Sequence, residues 1–262
     1  MIMDLGLKGR TVIVTGASSG VGLAVAALLR AEGAHVAACA RDADRLHAAL
    51  AALPGPGRVY AAPADVLDAG AVHDFVAAAA ADLGGVDAVV ANAGRSLMAR
   101  VLDVTGTQWD EEVRLKLAGL LHPVRAALPW LRRSDAGSVV AVNAILARQP
   151  EPRLAATSAA RAALLNLATT LATELAPDRI RVNSVCLGLI DTGQWRRRYD
   201  GSGSDLDFDT WAGELAADRG IPLGRLGTAE EVAFPIVSLL SPRSSYVTGA
   251  TLDVGGGVAR YV

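Results

Sequence analysis

The length, composition and charge of the chain narrow its class before any motif is considered. Its 262 residues can form one large α/β domain, and 52% hydrophobic residues with a mean hydropathy of +0.33 indicate a large core. A net charge of -2, without a basic stripe, argues against nucleic acid as a partner. The start, MIMDLGLKGR, lacks the apolar run of a signal peptide, and no stretch is apolar and long enough to span a bilayer, so we expect a cytoplasmic protein without a membrane partner.

The chain is organised around residues 11–22, TVIVTGASSGVG. The first four are apolar or β-branched without polar alternation, as in a strand buried on both faces of a parallel sheet. From Val21 the apolar residues recur at helical spacing, and Gly33 ends that helix. The sequence therefore predicts a strand, a glycine turn and a helix in immediate succession.

The turn has the spacing GxxxGxG, formed by Gly16, Gly20 and Gly22. The first turn of a helix leaves amide N–H groups unpaired, and the helix dipole adds positive potential there, so a diphosphate can bind. An isolated glycine turn often binds nothing. The strand before it and the helix after it favour nucleotide binding here.

The second predicted strand, residues 35–40, is followed by Arg41. In such sheets the end of this strand meets the adenosine ribose, where a carboxylate binds the 2′-hydroxyl of NAD. That acid is missing here, and a guanidinium pairs well with a 2′-phosphate. Arg41 therefore predicts NADP(H) rather than NAD(H); the alternative is a solvated arginine at a helix start.

The following elements alternate between helix and strand. The predicted helices cover 43–53, 69–83, 109–131 and 154–176, and the predicted strands cover 58–62, 87–91 and 137–142. Short connections between them are typical of a doubly wound parallel sheet. Asp65 and Asn92 follow strands at the carboxyl edge, where ligands bind in such sheets.

Five segments together resemble the short-chain dehydrogenase/reductase family, in the branch that includes oxoacyl-carrier-protein reductases. They are TGASSGVG at 15–22, DV at 65–66, ANAG at 91–94, RVNSVCLGLIDT at 181–192 and YVTGATLDVGGG at 246–257. They occur in the family's order and cover nearly the whole chain. The resemblance implies a single Rossmann-like domain over residues 1–262, with about seven parallel strands, a nicotinamide cofactor and a homotetramer or homodimer.

The resemblance also assigns the cofactor contacts. They are Gly16, Ser18, Ser19, Gly20, Val21 and Gly22 at the diphosphate, Asp65 and Val66 at the adenine, Asn92, Ala93 and Gly94 at the riboses, and Thr192 at the carboxamide. The family's Pro-Gly before that threonine is Leu187-Gly188 in this chain.

Members of the family usually carry a catalytic Asn, Ser, Tyr and Lys. The tyrosine hydroxyl transfers a proton to or from the substrate oxygen, and the lysine lowers the pKa of that phenol and holds the ribose. The matching positions here are Lys116, Ala144, Thr157 and Arg161, so all four residue types are replaced.

Three of these replacements are candidate catalytic residues. Thr157 and Arg161 share a helix face, but a threonine hydroxyl is a poor proton donor at neutral pH. Arg161 keeps a positive charge that can hold the nicotinamide ribose as well. Lys116 could donate a proton, bind an anionic substrate or act as a base; alternatively it fills vacant space and pairs with a carboxylate.

Residues 191–220 break the periodic pattern where the family has a lid over the substrate. Tyr199 could enter the pocket as a replacement phenol or lie at the surface. The three arginines at 196–198 could receive an acidic substrate or be solvated.

The sequence contains no motif for a metal site or for a Ser/His/Asp triad. The histidines at 35, 47, 73 and 122 are scattered, and Cys39 and Cys186 lie in apolar runs, as reduced core cysteines do.

Alanines on the 154–176 helix, including Ala159 and Ala162, predict close contact with a partner subunit.

Three functions remain open. The first is an NADP(H)-dependent oxidoreductase on a carbonyl or alcohol small-molecule substrate, with Lys116, a lid residue, water or the substrate replacing the phenol. The second is a non-redox enzyme on the same scaffold, such as a cyclase, isomerase or dehydratase. The third is an inactive nucleotide-binding or regulatory subunit. The family resemblance favours the first, and the four replacements favour the others.

Overall fold

The computed structural model describes residues 4–261, in which seven parallel strands form one sheet. The strands are β1 (Thr11–Thr15), β2 (His35–Ala40), β3 (Val59–Pro63), β4 (Ala88–Ala91), β5 (Ser138–Ala144), β6 (Arg181–Leu187) and β7 (Thr251–Val254). Their order across the sheet is β3-β2-β1-β4-β5-β6-β7. The order reverses at β1, so a crevice opens there at the carboxyl ends of β1 and β4. The predicted doubly wound α/β fold is confirmed.

Helices connect the strands and cover both faces of the sheet. They are α1 (Gly20–Ala31), α2 (Ala43–Ala51), α3 (Ala69–Leu83), α4 (Gly106–Leu131), α5 (Ala155–Leu175), α6 (Gly193–Asp200), α7 (Phe208–Asp218) and α8 (Ala229–Leu240). Short 3₁₀ helices occur at Val101–Asp103, Ile145–Ala147, Ala176–Asp178 and Pro242–Ser244. Over residues 4–261, none of the helices combines the length and the apolar character needed to cross a bilayer.

Strand β1 contributes to two separate cores. Val12 and Val14 belong to the core covered by α1 and α8, whereas Ile13 belongs to the core under α3, α4 and α5. Successive side chains of a strand point to opposite faces, so a strand covered on both sides needs apolar residues at every position. This explains the absence of polar alternation in the sequence of β1.

The predicted bounds of β2 and α3 agree with the structure at both ends, and other elements shift slightly. Helix α4 starts at Gly106, earlier than predicted, because Thr105 and Gln108 form a reciprocal cap. Strand β5 continues past Val142 to Ala144, since β6 pairs with it up to that residue.

The segment after β6 folds into α6 and α7, which share an aromatic cluster. The Tyr199 hydroxyl donates to the carbonyl oxygen of Leu206 at 2.7 Å, and its ring meets that of Phe208 edge-on, with centroids 5.5 Å apart. Trp211 packs against both rings. Tyr199 is thus half-buried in the core of this segment, neither in the crevice nor on the open surface.

Candidate functional site

Glycines shape the turn between β1 and α1. Gly16 and Gly20 have φ angles of 69° and 56°, in the left-handed region. A Cβ on Gly22 would lie 2.4 Å from the carbonyl oxygen of Gly16, so α1 starts this close to the turn only without a side chain there. The N-cap residue Ser19 makes no side-chain hydrogen bond to the helix. The first N–H groups of α1 therefore remain available to an anion.

Asn92 locks the loop after β4 to this turn. Its Nδ2 donates to the carbonyl oxygens of Thr15, at 3.0 Å, and Gly16, at 3.2 Å. In return, the Thr15 hydroxyl oxygen accepts from the backbone N–H groups of Asn92 and Ala93, both at 3.0 Å. The ends of β1 and β4 thus form one rigid edge of the crevice.

Three further predicted cofactor positions surround the same crevice. Asp65 follows β3, and its Oδ1 accepts from the N–H of Leu67 at 2.9 Å, which fixes that loop. Arg41 follows β2, is exposed, and makes no hydrogen bond or ion pair with the described part of the chain. Thr192 is the N-cap residue of α6 and lies next to the glycine turn, since a Cβ on Gly20 would be 3.3 Å from its Cγ2.

Lys116 is buried against Glu112, one turn earlier on α4. The Lys116 Nζ lies 3.0 Å from the Glu112 Oε2 and donates to the carbonyl oxygen of Arg95 at 2.7 Å. Each of the two side chains is only 2% exposed. Both belong to the stripe of α4 that faces the core, together with Leu120 and Val124. Lys116 therefore fills the interior and pairs with a carboxylate.

The surroundings of Lys116 change its acidity. Burial, followed by the positive charge of Arg161, lowers the pKa of Lys116 from 10.5 to about 8, and the Glu112 carboxylate opposes this shift. A lysine with a pKa near 8 exchanges its proton close to neutral pH.

Thr157 joins the same network from α5. Its side chain is fully buried, its hydroxyl donates to the Glu112 Oε2 at 2.7 Å, and it accepts from the N–H of Leu97 at 3.0 Å. One carboxylate oxygen thus links Lys116 to Thr157. The structure brings these two predicted residues together through Glu112, which sequence reasoning missed. The signal was present: Glu112 lies four residues before Lys116, on the stripe that continues through Leu120.

Arg161, one turn after Thr157, reaches the carboxyl end of β5. Its Nη1 donates to the carbonyl oxygen of Val142 at 2.9 Å, and Asn143 Nδ2 donates to the backbone carbonyl of Arg161 at 3.1 Å. A Cβ on Gly94 would lie 3.7 Å from the Arg161 Nη2. The Nε is buried and has no hydrogen-bond partner within residues 4–261. The guanidinium therefore retains an unused donor.

A cavity of about 160 Å³ opens beside this guanidinium. Of the predicted site residues, Val21, Arg161 and Thr192 line it, whereas Lys116 and Thr157 do not. Arg198, one of the three arginines that the sequence offers to an acidic substrate, also lines it. The polar, charged and aromatic residues of the wall that sequence reasoning did not single out are Ser96, Asn143, Gln149, Glu151, Gln194 and Trp195.

No cluster of His, Cys, Asp or Glu side chains suited to a metal ion occurs in residues 4–261.

The order of the strands, the glycine turn at the reversal point and the adjoining cavity define a doubly wound nucleotide-binding α/β protein. Residues 16–259 match the family described as enoyl-(acyl carrier protein) reductase. The 3-oxoacyl-[acyl-carrier-protein] reductase of Thermotoga maritima is 32% identical over 253 residues, covering 96% of this chain and 98% of that protein. The chain belongs to the short-chain dehydrogenase/reductase family.

Solved structures agree closely with the fold. A short-chain oxidoreductase from Pseudomonas aeruginosa, described as containing an atypical catalytic center, is 45% identical in its apo form, with a TM-score of 0.94 over 98% of this chain and 99% of that one. Its NADPH-bound form gives a TM-score of 0.93 over 97% and 98%. The L-sorbose reductase of Gluconobacter frateurii, complexed with NADPH and L-sorbose, is 31% identical, with a TM-score of 0.94 over 99% and 100%.

Proposed function

We propose that this protein is an NADP(H)-dependent oxidoreductase that acts on a carbonyl or alcohol substrate through a site unlike the usual one of its family. The observation that carries the proposal is Arg161, which lines the cavity and whose buried Nε has no hydrogen-bond partner among residues 4–261. A buried donor without an acceptor is unfavourable unless a ligand supplies one. The NADPH complexes of the similar Pseudomonas and Gluconobacter proteins support a nicotinamide nucleotide as that ligand.

The residues around the crevice fit such a nucleotide. The uncapped start of α1 suits a diphosphate, and the exposed Arg41, without an acidic partner in the described chain, suits a 2′-phosphate. The proposed contacts are Gly16, Ser18, Ser19, Gly20, Val21 and Gly22 with the diphosphate, Asp65 and Val66 with the adenine, Asn92, Ala93, Gly94 and Arg161 with the riboses, and Thr192 with the carboxamide.

The bound nucleotide would supply or accept a hydride at the substrate carbon. Arg161 holds the ribose and places positive charge near the substrate oxygen, where negative charge develops during reduction. Because the hydroxyl of Thr157 donates to Glu112 behind the cavity wall, we assign the proton on the substrate oxygen to water. Lys116, a residue of the 191–220 segment and the substrate itself are the alternative donors.

In this mechanism the buried network is a positioning device. Lys116 holds the carbonyl of Arg95 and Thr157 holds the N–H of Leu97, so the two residues fix the backbone on either side of Ser96. Ser96 lines the cavity. Glu112 is hydrogen-bonded to both Lys116 and Thr157 and so keeps this part of the wall in place.

Cofactor preference tests the proposal. Calorimetric titration of the purified protein should give a lower Kd for NADPH than for NADH, and Arg41→Ala should remove most of that difference. Arg133→Ala is the matched control, because this exposed arginine follows the end of α4, at the opposite edge of the sheet. Equal affinity for both nucleotides in the wild type, or binding of neither, would refute the assignment.

The burial of Thr157 and Lys116 outside the cavity supports a second candidate. It is a non-redox enzyme, such as a cyclase, isomerase or dehydratase, or an inactive nucleotide-binding subunit. Single-turnover absorbance of bound NADPH separates the two candidates across a panel of aldehydes and ketones. Oxidation of NADPH by any of them supports the oxidoreductase; a complex that binds NADPH and never oxidises it supports the second candidate.

We further propose that the chain is one nucleotide-binding domain with a substrate lid at 191–220, assembled as a homodimer or homotetramer. Trp195 and Arg198 line the cavity from the lid segment. Ala159 and Ala162 are exposed on α5, where small side chains allow another helix to approach. Light scattering at micromolar concentration should give a mass above the 26.9 kDa of one chain. A monomer would contradict the assembly.

A further inference from the structure

The charged side chains of the cavity wall leave an excess of positive charge. The wall contains three charged side chains, Glu151, Arg161 and Arg198. The Glu151 carboxylate is already paired with the guanidinium of Arg219, which approaches it closely. The cavity therefore presents two positive charges without a negative charge of its own.

Of the two cavity arginines, Arg161 is assigned to the proposed cofactor, and Arg198 is not. Its guanidinium lies 4.3 Å above the ring of Trp195 and makes no ion pair or hydrogen bond with any residue from 4 to 261. Stacking on an indole orients the guanidinium while its edge donors remain available. Burial lowers the pKa of Arg198, but a guanidinium keeps its charge in proteins.

The two neighbouring arginines behave differently, although the sequence makes all three look alike. Arg196 forms two hydrogen bonds with the carboxylate of Asp191, at 3.0 and 2.5 Å. Arg197 is exposed and does not line the cavity. Of the three, only Arg198 combines a place in the wall with the lack of a partner within the described residues.

We propose that the cavity binds a substrate with a carboxylate group, and that Arg198 holds this carboxylate away from the reacting carbon. The proposal rests on the proposed function and specifies its substrate as an oxo acid or the corresponding hydroxy acid. One guanidinium matches one carboxylate in charge and in its two-point geometry. Phosphate groups are usually bound by several donors together, such as helix N-termini with additional cations, and the wall provides one cation besides Arg161, which the proposed ribose contact uses.

Paired probes test the assignment without requiring turnover. A series of short oxo acids, from pyruvate to 4-oxopentanoate, is titrated against the protein saturated with NADP+, in parallel with the methyl ester of each acid. The best acid should bind about tenfold more tightly than its ester, a difference of about 1.4 kcal/mol, because a hydrogen bond to a charged carboxylate is stronger than one to a neutral ester. Arg198→Ala should abolish this preference, and Arg197→Ala should preserve it.

The outcomes separate the substrate class from the redox proposal. Equal binding of acids and esters, including no binding of either, overturns the carboxylate site, as does an equal loss in the two arginine variants. Competition by inorganic phosphate as strong as that of the best acid replaces the carboxylate with a phosphate. The same titrations without nucleotide provide the remaining control. If the protein does not bind NADPH but still prefers an acid over its ester in an Arg198-dependent way, the carboxylate site is supported and the redox proposal fails.

Discussion

Glu112 and Thr157 lie on different helices and share a hydrogen bond of 2.7 Å in the interior of the protein. The same Glu112 oxygen pairs with Lys116 at 3.0 Å. The three side chains are nearly inaccessible to solvent, so removing any one of them leaves a buried polar group without its partner. They should therefore behave as one unit in stability measurements.

Glu112→Ala should destabilise the protein strongly. The substitution leaves the Lys116 ammonium buried without its carboxylate, and breaking a buried pair in this way costs about 3–5 kcal/mol. Glu111→Ala is the matched control, because Glu111 pairs with Arg95 on the surface, where its side chain is 54% exposed. That loss should be at most about 1 kcal/mol. Urea unfolding measures both; similar values for the two variants would contradict a buried pair.

The free energy of unfolding should depend on pH through Lys116. Its pKa is about 8 when folded against an ordinary 10.5, so the unfolded chain holds more protons between these values and stability rises with pH in that window. A Glu112→Gln/Lys116→Met double variant lacks this contribution. Stability of the wild type should therefore increase relative to the double variant from pH 8 to 10.5.

The comparison must be made as a difference between the two proteins. Burial raises the pKa of the Cys39 and Cys186 thiols to about 12, which lowers stability with rising pH in both proteins alike. Subtracting the variant removes this shared contribution. A difference that stays constant over the window would show that Lys116 titrates at its ordinary pKa.

The fold was predictable because its signals are local. Uninterrupted apolar residues define β1 and β2, and the glycine turn with the following helix locates the crevice. The early start of α4 was also readable, since Thr105 and Gln108 have the spacing of a capping box. The reach of β5 to Ala144 was not, because it depends on its pairing with β6.

The site was harder to predict because its contacts are distant in sequence. Glu112 and Lys116 have the spacing of an ordinary surface ion pair. Their burial depends on Thr157, 45 positions from Glu112, and on Arg95, 21 positions from Lys116. Arg198 likewise stands out only once Asp191 is seen to pair with Arg196.

Gly22→Ala should impair both folding and nucleotide binding. The new Cβ would lie 2.4 Å from the Gly16 oxygen and 2.5 Å from the Asn92 Nδ2, so the turn must move, at a cost of about 1–3 kcal/mol. Gly213→Ala is the control, because Gly213 lies within α7 with no atom within 4 Å of its added Cβ. It should stabilise by up to about 1 kcal/mol. Thermal melting with and without NADPH measures both effects; a Gly22→Ala protein with wild-type melting and NADPH affinity would contradict the close packing of this turn.

Thr157→Tyr tests whether the site has lost the family's chemistry or replaced it. The phenol cannot occupy the fully buried space of the threonine, so the hydrogen bonds to Glu112 and Leu97 break, and stability should fall by about 1–3 kcal/mol. Thr157→Ser keeps the hydroxyl and is the control for both stability and rate. If the native reaction depends on the Glu112 network, turnover of the native substrate falls in Thr157→Tyr and does not return when Ala144→Ser and Arg161→Lys are added. A tyrosine hydroxyl with a lysine beside it donates a proton far more readily than an alcohol does. A triple variant with a kcat above that of the wild type would therefore mean that the native residues only weaken the usual phenol-based mechanism.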